Sequence, residues 1–240
     1  MARFINKTLE IIKNICFPIA CCNCGDFVDS EGLCFNCWKR IEWISDPKCK
    51  ICGVPFEIDL DAICPVCLRK KPNFDKAVAA FKYDDFSRNM ILKFKHWDAT
   101  HIAEKFGRWM YGACAADIAN ADVIVPVPIH FLKRLKRQYN QSELLGLELQ
   151  KFSGIHYEPR ILKKIKRTAP QEGLTREKRL KNVRGSFEID ENYVSLIEGK
   201  FIILVDDVLT TGSTVNECSK MLKKYNAARV VVVTIARVDS

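Results

Sequence analysis

The stretch FIILVDDVLTTGSTV, residues 201–215, decides the fold of the larger part of this chain. Five apolar residues precede two adjacent aspartates, and a loop of three threonines, one serine and one glycine follows. An unbroken apolar run is typical of a strand that is buried on both faces, as in a parallel sheet. Carboxylates beside hydroxyls can bind a metal, a phosphate or a sugar, so this stretch alone leaves three classes of ligand open.

Strand-like and helix-like segments alternate along the chain after residue 72. The patterns predict strands at 78–83, 122–128, 201–205 and 229–236, and helices at 88–96, 102–119, 140–152 and 213–225. This alternation predicts an α/β domain with a parallel sheet and helices on both faces. Ligands of such sheets bind beyond the carboxyl ends of the strands. Asp206 and Asp207 are therefore predicted to lie at the mouth of a site.

The loop after the aspartates has the features of a phosphate site. It bridges a strand end and a helix N-terminus, where free backbone N–H groups and the helix dipole attract a phosphate. Its residues supply hydroxyl donors and one glycine that permits close approach: Thr210, Thr211, Gly212, Ser213 and Thr214. The spacings of a Walker A loop and of a dinucleotide fingerprint are absent from the sequence. A ribose 5-phosphate would suit both the aspartates and the loop. Its vicinal hydroxyls suit the carboxylates, and its phosphate suits the donors of the loop.

Ten of the 12 cysteines precede residue 70, which indicates a separate N-terminal unit. They include four C-x-x-C pairs, with nine residues inside the first set and eleven inside the second. Such pairs bind a tetrahedral ion from one tight turn, and Gly25 and Gly53 permit the positive φ of that turn. The spacing predicts two structural zinc sites: Cys21, Cys24, Cys34 and Cys37, and Cys49, Cys52, Cys64 and Cys67.

Two points about the cysteines stay open at this level. A disulfide framework is the alternative to zinc, but a chain without an export signal keeps its thiols reduced in the cytosol. Cys22 is an alternative ligand to Cys21. Cys16, Cys114 and Cys218 are predicted to be ordinary small apolar residues.

Length and composition indicate a globular chain, with 240 residues of which 48% are apolar. The cysteines divide it into an N-terminal helix and double ribbon at 1–72 and an α/β domain at 73–240. Charged residues interrupt the apolar residues of the N-terminus, so a short amphipathic helix is predicted there instead of a secretory signal. Since no stretch approaches the roughly 20 apolar residues of a membrane span, we predict no membrane insertion and a cytoplasmic location.

The formal charge of +9 is concentrated in one region. Residues 131–184 hold 15 basic and 5 acidic side chains. An excess of this size favours a polyanionic partner. Aromatic residues within it, including Tyr139, Phe152 and Tyr157, suit base stacking, and core packing is the alternative for Phe152 and Tyr157.

Residues 201–214 resemble the motif that binds phosphoribosyl pyrophosphate (PRPP) in type I phosphoribosyltransferases. With the ribbons, the chain resembles the ComF family of competence proteins, which are implicated in uptake of single-stranded DNA. Three further stretches carry this resemblance: FPIACCNCG at 17–25, VPVPIHFLKRLKRQYNQSELL at 125–145 and RTAPQEGLTREKRLKNVRGSF at 167–187. Gln138 replaces the glycine of the family's R-G-F-N-Q. The resemblance implies a phosphoribosyltransferase-like sheet behind a double zinc ribbon.

The resemblance also implies a role for each matched residue. Asp206 and Asp207 would bind the ribose hydroxyls, and residues 210–214 the 5-phosphate. The pyrophosphate loop would be Val125, Pro126, Val127 and Pro128, with Arg137. Mg²⁺ is expected on the ribose and pyrophosphate oxygens. The candidates for further phosphate or DNA contacts are Lys133, Arg134, Lys136, Lys166 and Arg167.

The implied function is that of a DNA-uptake accessory protein that binds PRPP and single-stranded DNA and has a DNA-uptake helicase as a partner. The alternative is an enzyme of nucleotide salvage that transfers ribose 5-phosphate from PRPP to a nitrogenous base. Transfer needs a pocket for the acceptor base and a group that manages its proton. No residue of the sequence can be assigned to either task. Purine-salvage relatives carry an acidic residue where this chain has Thr210, which disfavours that subclass.

Overall fold

The computed structural model describes residues 19–28, 32–58, 62–96, 102–130, 139–166 and 176–239. The predicted N-terminal helix and Cys16 lie outside these residues. The described part contains two cysteine-rich ribbons followed by a sheet flanked by helices. Each ribbon has one short helix, α1 at Phe35–Arg40 and α2 at Pro65–Arg69.

The central sheet has five strands, all parallel, among the described residues. Its strands are β1 at Lys76–Lys82, β2 at Val123–Pro126, β3 at His156–Tyr157, β6 at Phe201–Leu209 and β7 at Arg229–Arg237. The helices around it are α3 at Asp85–His96, α4 at Ile102–Ile118, α5 at Gln141–Ser153 and α7 at Ser213–Lys224. The spatial order of the strands is β1-β7-β6-β2-β3.

Both faces of the sheet are covered, because alternate residues of its strands enter two separate cores. Ile203 of β6 and Val231 of β7 pack with α3, α4 and α5. Ile202 and Val230 point the other way and pack with α7. This arrangement explains the unbroken apolar runs and confirms the prediction of helices on both faces.

The direction in which the chain adds strands to the sheet reverses between β2 and β6. From β2 the chain crosses through α5 to β3, whereas from β6 it crosses through α7 to β7 on the opposite side. The carboxyl ends of β2 and β6 are neighbours in the register, with Pro126 opposite Val205. Ligands of open α/β sheets bind at such a point.

A smaller unit covers one side of the sheet. It consists of the antiparallel pair β4 at Leu162–Lys164 and β5 at Phe187–Ile189, with α6 at Arg176–Val183 and a 3-10 helix at Glu191–Leu196. Phe187 and Ile189 are buried in the same core as α7. The sequence patterns did not predict these short elements.

The ribbons are packed against the edge of the sheet. The segment between them pairs with β1, since Ile44 N donates to Ala80 O at 2.9 Å. The second ribbon accepts a hydrogen bond from the same strand, since Ala77 N donates to Ile51 O at 2.6 Å. Gly53 has a φ of +68°, and a Cβ there would lie 2.6 Å from the Ala77 carbonyl oxygen. A larger residue would therefore push the second ribbon off the sheet.

The long elements lie close to their predicted positions. The prediction that the strand beginning at Phe201 ends at residue 205 is wrong, because Asp206 and Val208 continue its pairing with Thr234 and Ala236. Within the described residues, no helix combines the length and apolar character that crossing a membrane requires.

Candidate functional site

Asp206 and Asp207 lie in the second half of β6, beside the reversal point of the sheet. Their side chains bend back onto the strand, since Asp206 Oδ1 accepts from Asp207 N at 2.9 Å and Asp207 Oδ1 accepts from Val208 N at 2.6 Å. Both residues are half-buried. Each carboxylate thus has one oxygen fixed by the backbone.

Two helices on one face of the sheet supply partners to these carboxylates. Ser142 of α5 donates its hydroxyl to Asp206 Oδ1 at 3.0 Å. Lys95 of α3 places its Nζ 2.8 Å from Asp207 Oδ2. Sequence reasoning missed both. Ser142 lies inside the quoted stretch 125–145 and could have been found there, whereas Lys95 lies in an ordinary amphipathic helix that gives no such signal.

The charges of this cluster influence one another. Burial raises the pKa of the Asp206 carboxyl, and the neighbouring Asp207 carboxylate adds to the effect, which brings it to about 7. Burial opposes the charge of Lys95, but the Asp207 carboxylate outweighs it and raises the pKa of the lysine. The pair of aspartates therefore shares one close cation and does not carry two full negative charges at neutral pH.

The VPVP segment lies next to the aspartates. Val127 N donates to Val205 O at 2.8 Å, directly before Asp206. Asn140 caps α5 by accepting from Ser142 N at 3.1 Å, and its Nδ2 donates to Val127 O at 3.0 Å. One residue therefore holds both the start of α5 and the loop after β2.

The hydroxyl-rich loop leads from β6 into α7. Gly212 precedes the helix with a φ of 71°, a backbone conformation that favours glycine. Thr211 Oγ1 and Ser213 Oγ are 2.8 Å apart. The first N–H groups of α7 have no helical partners by geometry, so this loop has the donors that an anion requires.

Most of the predicted cationic contacts cannot be placed. Arg137, Lys133, Arg134, Lys136 and Arg167 lie outside the described residues. Lys166 lies among the described residues, where it is exposed to solvent and follows β4. Its phosphate role stays a prediction.

The aromatic residues of the basic region pack in the fold. Tyr139 donates its hydroxyl to Phe94 O at 3.0 Å, and Phe152 stacks on Tyr111 with ring centroids 6.2 Å apart. Tyr157 donates to Glu143 O at 3.3 Å. These contacts favour the core-packing alternative for Phe152 and Tyr157, and they join the Tyr139 hydroxyl to α3.

The eight ribbon cysteines form the two predicted clusters. Within each set the four Sγ atoms lie within 4.8 Å of one another. Cys24 and Cys34 have their sulfurs 3.7 Å apart, as do Cys52 and Cys64. Four sulfurs around zinc at about 2.3 Å are separated by roughly 3.8 Å. Both sets therefore fit a tetrahedral zinc ion with no open position.

In each set, backbone N–H donors favour the thiolate of one cysteine. Burial would raise the pKa of Cys21, but backbone N–H donors, Cys34 first among them, bring it to about 6. Cys49 behaves in the same way, with a pKa of about 7. Cys22 lies outside the cluster, where its Sγ is 3.5 Å from Met90 Sδ and burial raises its pKa to about 12. The geometry thus selects Cys21 as the ligand.

The fold and its two sets of ligands define a class of protein in which a double zinc ribbon precedes a phosphoribosyltransferase-like domain. Family models agree with this class. The model described as "Double zinc ribbon domain" matches residues 12–68, and the model described as "Phosphoribosyl transferase domain" matches residues 153–240.

Full-length relatives identify the family within that class. The chain is 32% identical to Competence protein F of Haemophilus influenzae over 230 residues, which covers 92% of this chain and 98% of that protein. It is 27% identical to DNA utilization protein YhgH of Escherichia coli K12, with 86% and 90% covered, and 25% identical to Competence protein ComFC of Bacillus subtilis, with 86% and 85% covered. The chain belongs to the ComF family of competence proteins.

Solved structures give a weaker likeness. A glutamine PRPP amidotransferase from B. subtilis is 20% identical, covers 64% of this chain and 33% of its own, and has a TM-score of 0.41. A hypoxanthine phosphoribosyl transferase from Trypanosoma cruzi is 16% identical, covers 57% and 62%, and has a TM-score of 0.33. At these scores the likeness adds nothing to what the family shows.

Proposed function

We propose that this protein is a DNA-uptake accessory protein that binds PRPP with Mg²⁺ and also binds single-stranded DNA. The observation that carries the proposal is its full-length similarity to Competence protein F, which extends over both the ribbons and the sheet. Proteins named for competence and for DNA utilization recur among its relatives. A DNA-uptake helicase as partner and a cytoplasmic location stay predictions.

The site chemistry supports PRPP as the ligand. The carboxylates of Asp206 and Asp207 would accept hydrogen bonds from vicinal ribose hydroxyls, with Asp207 shared with Lys95 or released by it. The loop 210–214 offers N–H and hydroxyl donors to the 5-phosphate. The VPVP segment, held by Asn140, lies beside the aspartates on the neighbouring strand and is assigned to the pyrophosphate.

Magnesium fits the same arrangement. Its preferred ligands are oxygens of carboxylates, hydroxyls and phosphates. Because Lys95 already neutralises part of the charge of the aspartates, we assign Mg²⁺ to the ribose and pyrophosphate oxygens, with the Asp206 and Asp207 carboxylates beside it. When bound, the ion would offset the charge of the pyrophosphate.

The proposed binding of PRPP is tested by calorimetry with PRPP and MgCl₂. Asp206→Ala/Asp207→Ala should weaken binding by about a hundredfold or more, because each of the two hydrogen bonds from a hydroxyl to a charged group contributes about 1.5–3 kcal/mol. Zinc content and circular dichroism serve as controls for folding. Equal affinity of the wild-type and double-alanine proteins would contradict the assignment.

The proposed binding of single-stranded DNA is tested by fluorescence anisotropy with a labelled oligothymidylate. Affinity should fall steeply with salt as counterions are released. Charge reversal at Lys133, Arg134 and Lys136 should weaken this binding while leaving PRPP affinity within about twofold, unless those side chains also contact pyrophosphate. A wild-type protein that fails to bind the oligonucleotide would remove DNA binding from the proposal.

The match to a phosphoribosyl transferase domain favours a second candidate, a base-specific phosphoribosyltransferase of nucleotide salvage. A deletion strain distinguishes the two. Loss of the DNA-uptake protein should lower transformation frequency and leave growth on defined bases unchanged. Normal transformation in a competent host, with release of pyrophosphate by the pure protein when one particular base is supplied, would establish the salvage enzyme instead.

A further inference from the structure

A cavity of about 130 Å³ lies between the second ribbon and the hydroxyl-rich loop. Its ribbon side includes Val54 and Val66, and its other side includes Phe74 and Leu209. Residues 210–213 border it, whereas Asp206 and Asp207 do not. The cavity is therefore distinct from the ribose end of the proposed PRPP site and shares only the phosphate loop with it.

A buried arginine forms part of its wall. Arg237 at the end of β7 is only 3% exposed and donates through Nη1 to Cys52 O. Its Nε is buried and has no hydrogen-bond partner among the described residues. A buried donor without a partner is costly, so a ligand with an acceptor atom would satisfy it.

The border of the cavity carries two more cations. Lys70 and Lys71 line it and are exposed to solvent. Among the described residues, none of those that line the cavity has a carboxylate. The second cysteine cluster lies in the same wall through Cys52, Cys64 and Cys67, and with zinc bound it would carry 2 − 4 = −2. That charge disfavours a phosphate in the interior but not at the lysines.

These features suit one nucleotide of a strand. An apolar cavity of roughly 150 Å³ admits a single aromatic ring, and every nucleobase has acceptor atoms at its edge for the Arg237 Nε. Phosphates of the strand would then meet Lys70 and Lys71 outside. A free anion would lack the apolar contacts, and an apolar ligand would leave Arg237 unsatisfied.

We propose that this cavity is a nucleobase subsite for single-stranded DNA, with one base between the second ribbon and Phe74 and the adjacent phosphates on Lys70 and Lys71. The assignment rests on the proposed binding of single-stranded DNA and gives it a location outside the basic segment 131–184. A base placed here lies on the 5-phosphate side of the PRPP site, away from the aspartates, so the cavity is not the acceptor pocket of a transfer reaction.

The test compares three variants of the full-length zinc-loaded protein by anisotropy with labelled oligothymidylate. Lys70→Glu/Lys71→Glu should lower affinity about tenfold or more and reduce the slope of log affinity against log salt by about 1.4, which corresponds to two phosphates of a single strand. Val66→Phe, which fills the cavity, should lower affinity by about tenfold, the effect of losing one base contact, with little change in slope. Lys220→Glu/Lys224→Glu, on the exposed face of α7, makes the same change in charge elsewhere and should stay within about threefold of wild type.

Zinc content and PRPP affinity are measured on every variant. Two zinc ions and unchanged PRPP affinity show that the fold and the phosphate loop are intact. The subsite would be overturned if Val66→Phe bound DNA as tightly as the wild type does, or if the two double-lysine variants lost equal DNA affinity. Either result would leave DNA binding itself established. A parallel loss of PRPP affinity in Lys70→Glu/Lys71→Glu would overturn it by assigning these lysines to the PRPP 5-phosphate. Failure of the wild-type protein to bind DNA would reject the DNA half of the proposed function instead.

Discussion

Lys95 Nζ and Asp207 Oδ2 are 2.8 Å apart, and this ion pair joins α3 to the second of the two adjacent aspartates in β6. Both side chains are largely shielded from solvent, at 23% and 21% exposure. The ammonium thus occupies one of the acceptor positions that a ribose hydroxyl would use. A ligand that binds here must share Asp207 with Lys95 or displace it.

Replacing Lys95 should cost stability because Asp207 would lose its partner. We expect Lys95→Met to lower the free energy of unfolding at pH 8 by about 1–3 kcal/mol. Urea denaturation of the wild type, Lys95→Met, Asp207→Asn and the double variant measures the coupling, which for groups in contact is about 0.5–3 kcal/mol. Strictly additive effects would show that the pair does not form in solution.

The titration of Asp206 should appear in the pH dependence of stability. An unfolded aspartate, with a pKa near 3.8, is already ionised at pH 6, whereas the folded carboxyl has a pKa of about 7. Folding therefore takes up a proton at pH 6, and the associated stability is lost as the pH rises through 7.

Between pH 6 and 8 the wild type should lose about 1.4 kcal/mol relative to Asp206→Asn, which corresponds to one pKa unit. Chemical denaturation of both proteins across this range measures the difference. Because zinc binding contributes equally to both, the comparison isolates Asp206. Parallel pH profiles would mean that Asp206 ionises at its ordinary pKa.

The extent to which sequence predicts this protein differs between its local and its long-range features. The strand predicted at 229–236 is observed at Arg229–Arg237 and the helix predicted at 213–225 at Ser213–Lys224, because apolar runs and helical periodicity are local signals. The two cysteine sets are also predicted from a local signal, because the C-x-x-C spacing indicates which sulfurs lie together.

Other features depend on contacts between distant parts of the chain. The pairing of β4 with β5 joins segments separated by about twenty residues, and its strands are only three residues long. Lys95 and Asp207 are 112 positions apart, and Arg237 meets Cys52 across 185. No periodicity within either segment reports such a contact, so the partners of the aspartates and the cavity beside the ribbon appear only in the folded chain.

Adjacent cysteines provide a matched test of the first zinc site. Cys21→Ser should reduce the zinc content from two ions per chain to one, because its sulfur belongs to the four-sulfur cluster. Cys22→Ser should retain two, since that sulfur faces Met90. Colorimetric zinc release from reduced protein gives both values. Loss of zinc from Cys22→Ser with retention in Cys21→Ser would reverse the ligand assignment.

Asn140 offers a way to separate the stability of α5 from the position of the VPVP segment. Its side chain both caps the helix and donates to Val127 O. Asn140→Ala removes both contacts and should cost about 1 kcal/mol of stability from the cap alone. Asn140→Ser keeps a good cap but is too short to reach Val127, so it should retain most of the stability.

If the VPVP segment binds the pyrophosphate of PRPP, both variants should weaken PRPP binding, by about 0.5–1.5 kcal/mol for the lost hydrogen bond. Calorimetry with PRPP and Mg²⁺, alongside urea denaturation, gives the two quantities for each protein. Wild-type PRPP affinity in Asn140→Ser, together with a loss in Asn140→Ala, would trace the effect to the helix cap. Equal losses of affinity in the two variants, despite their different stabilities, would exclude the helix cap as the cause. They would trace the effect to the donor Nδ2, which both variants lack and which bonds Val127 O at 3.0 Å and Glu143 Oε1 at 3.3 Å.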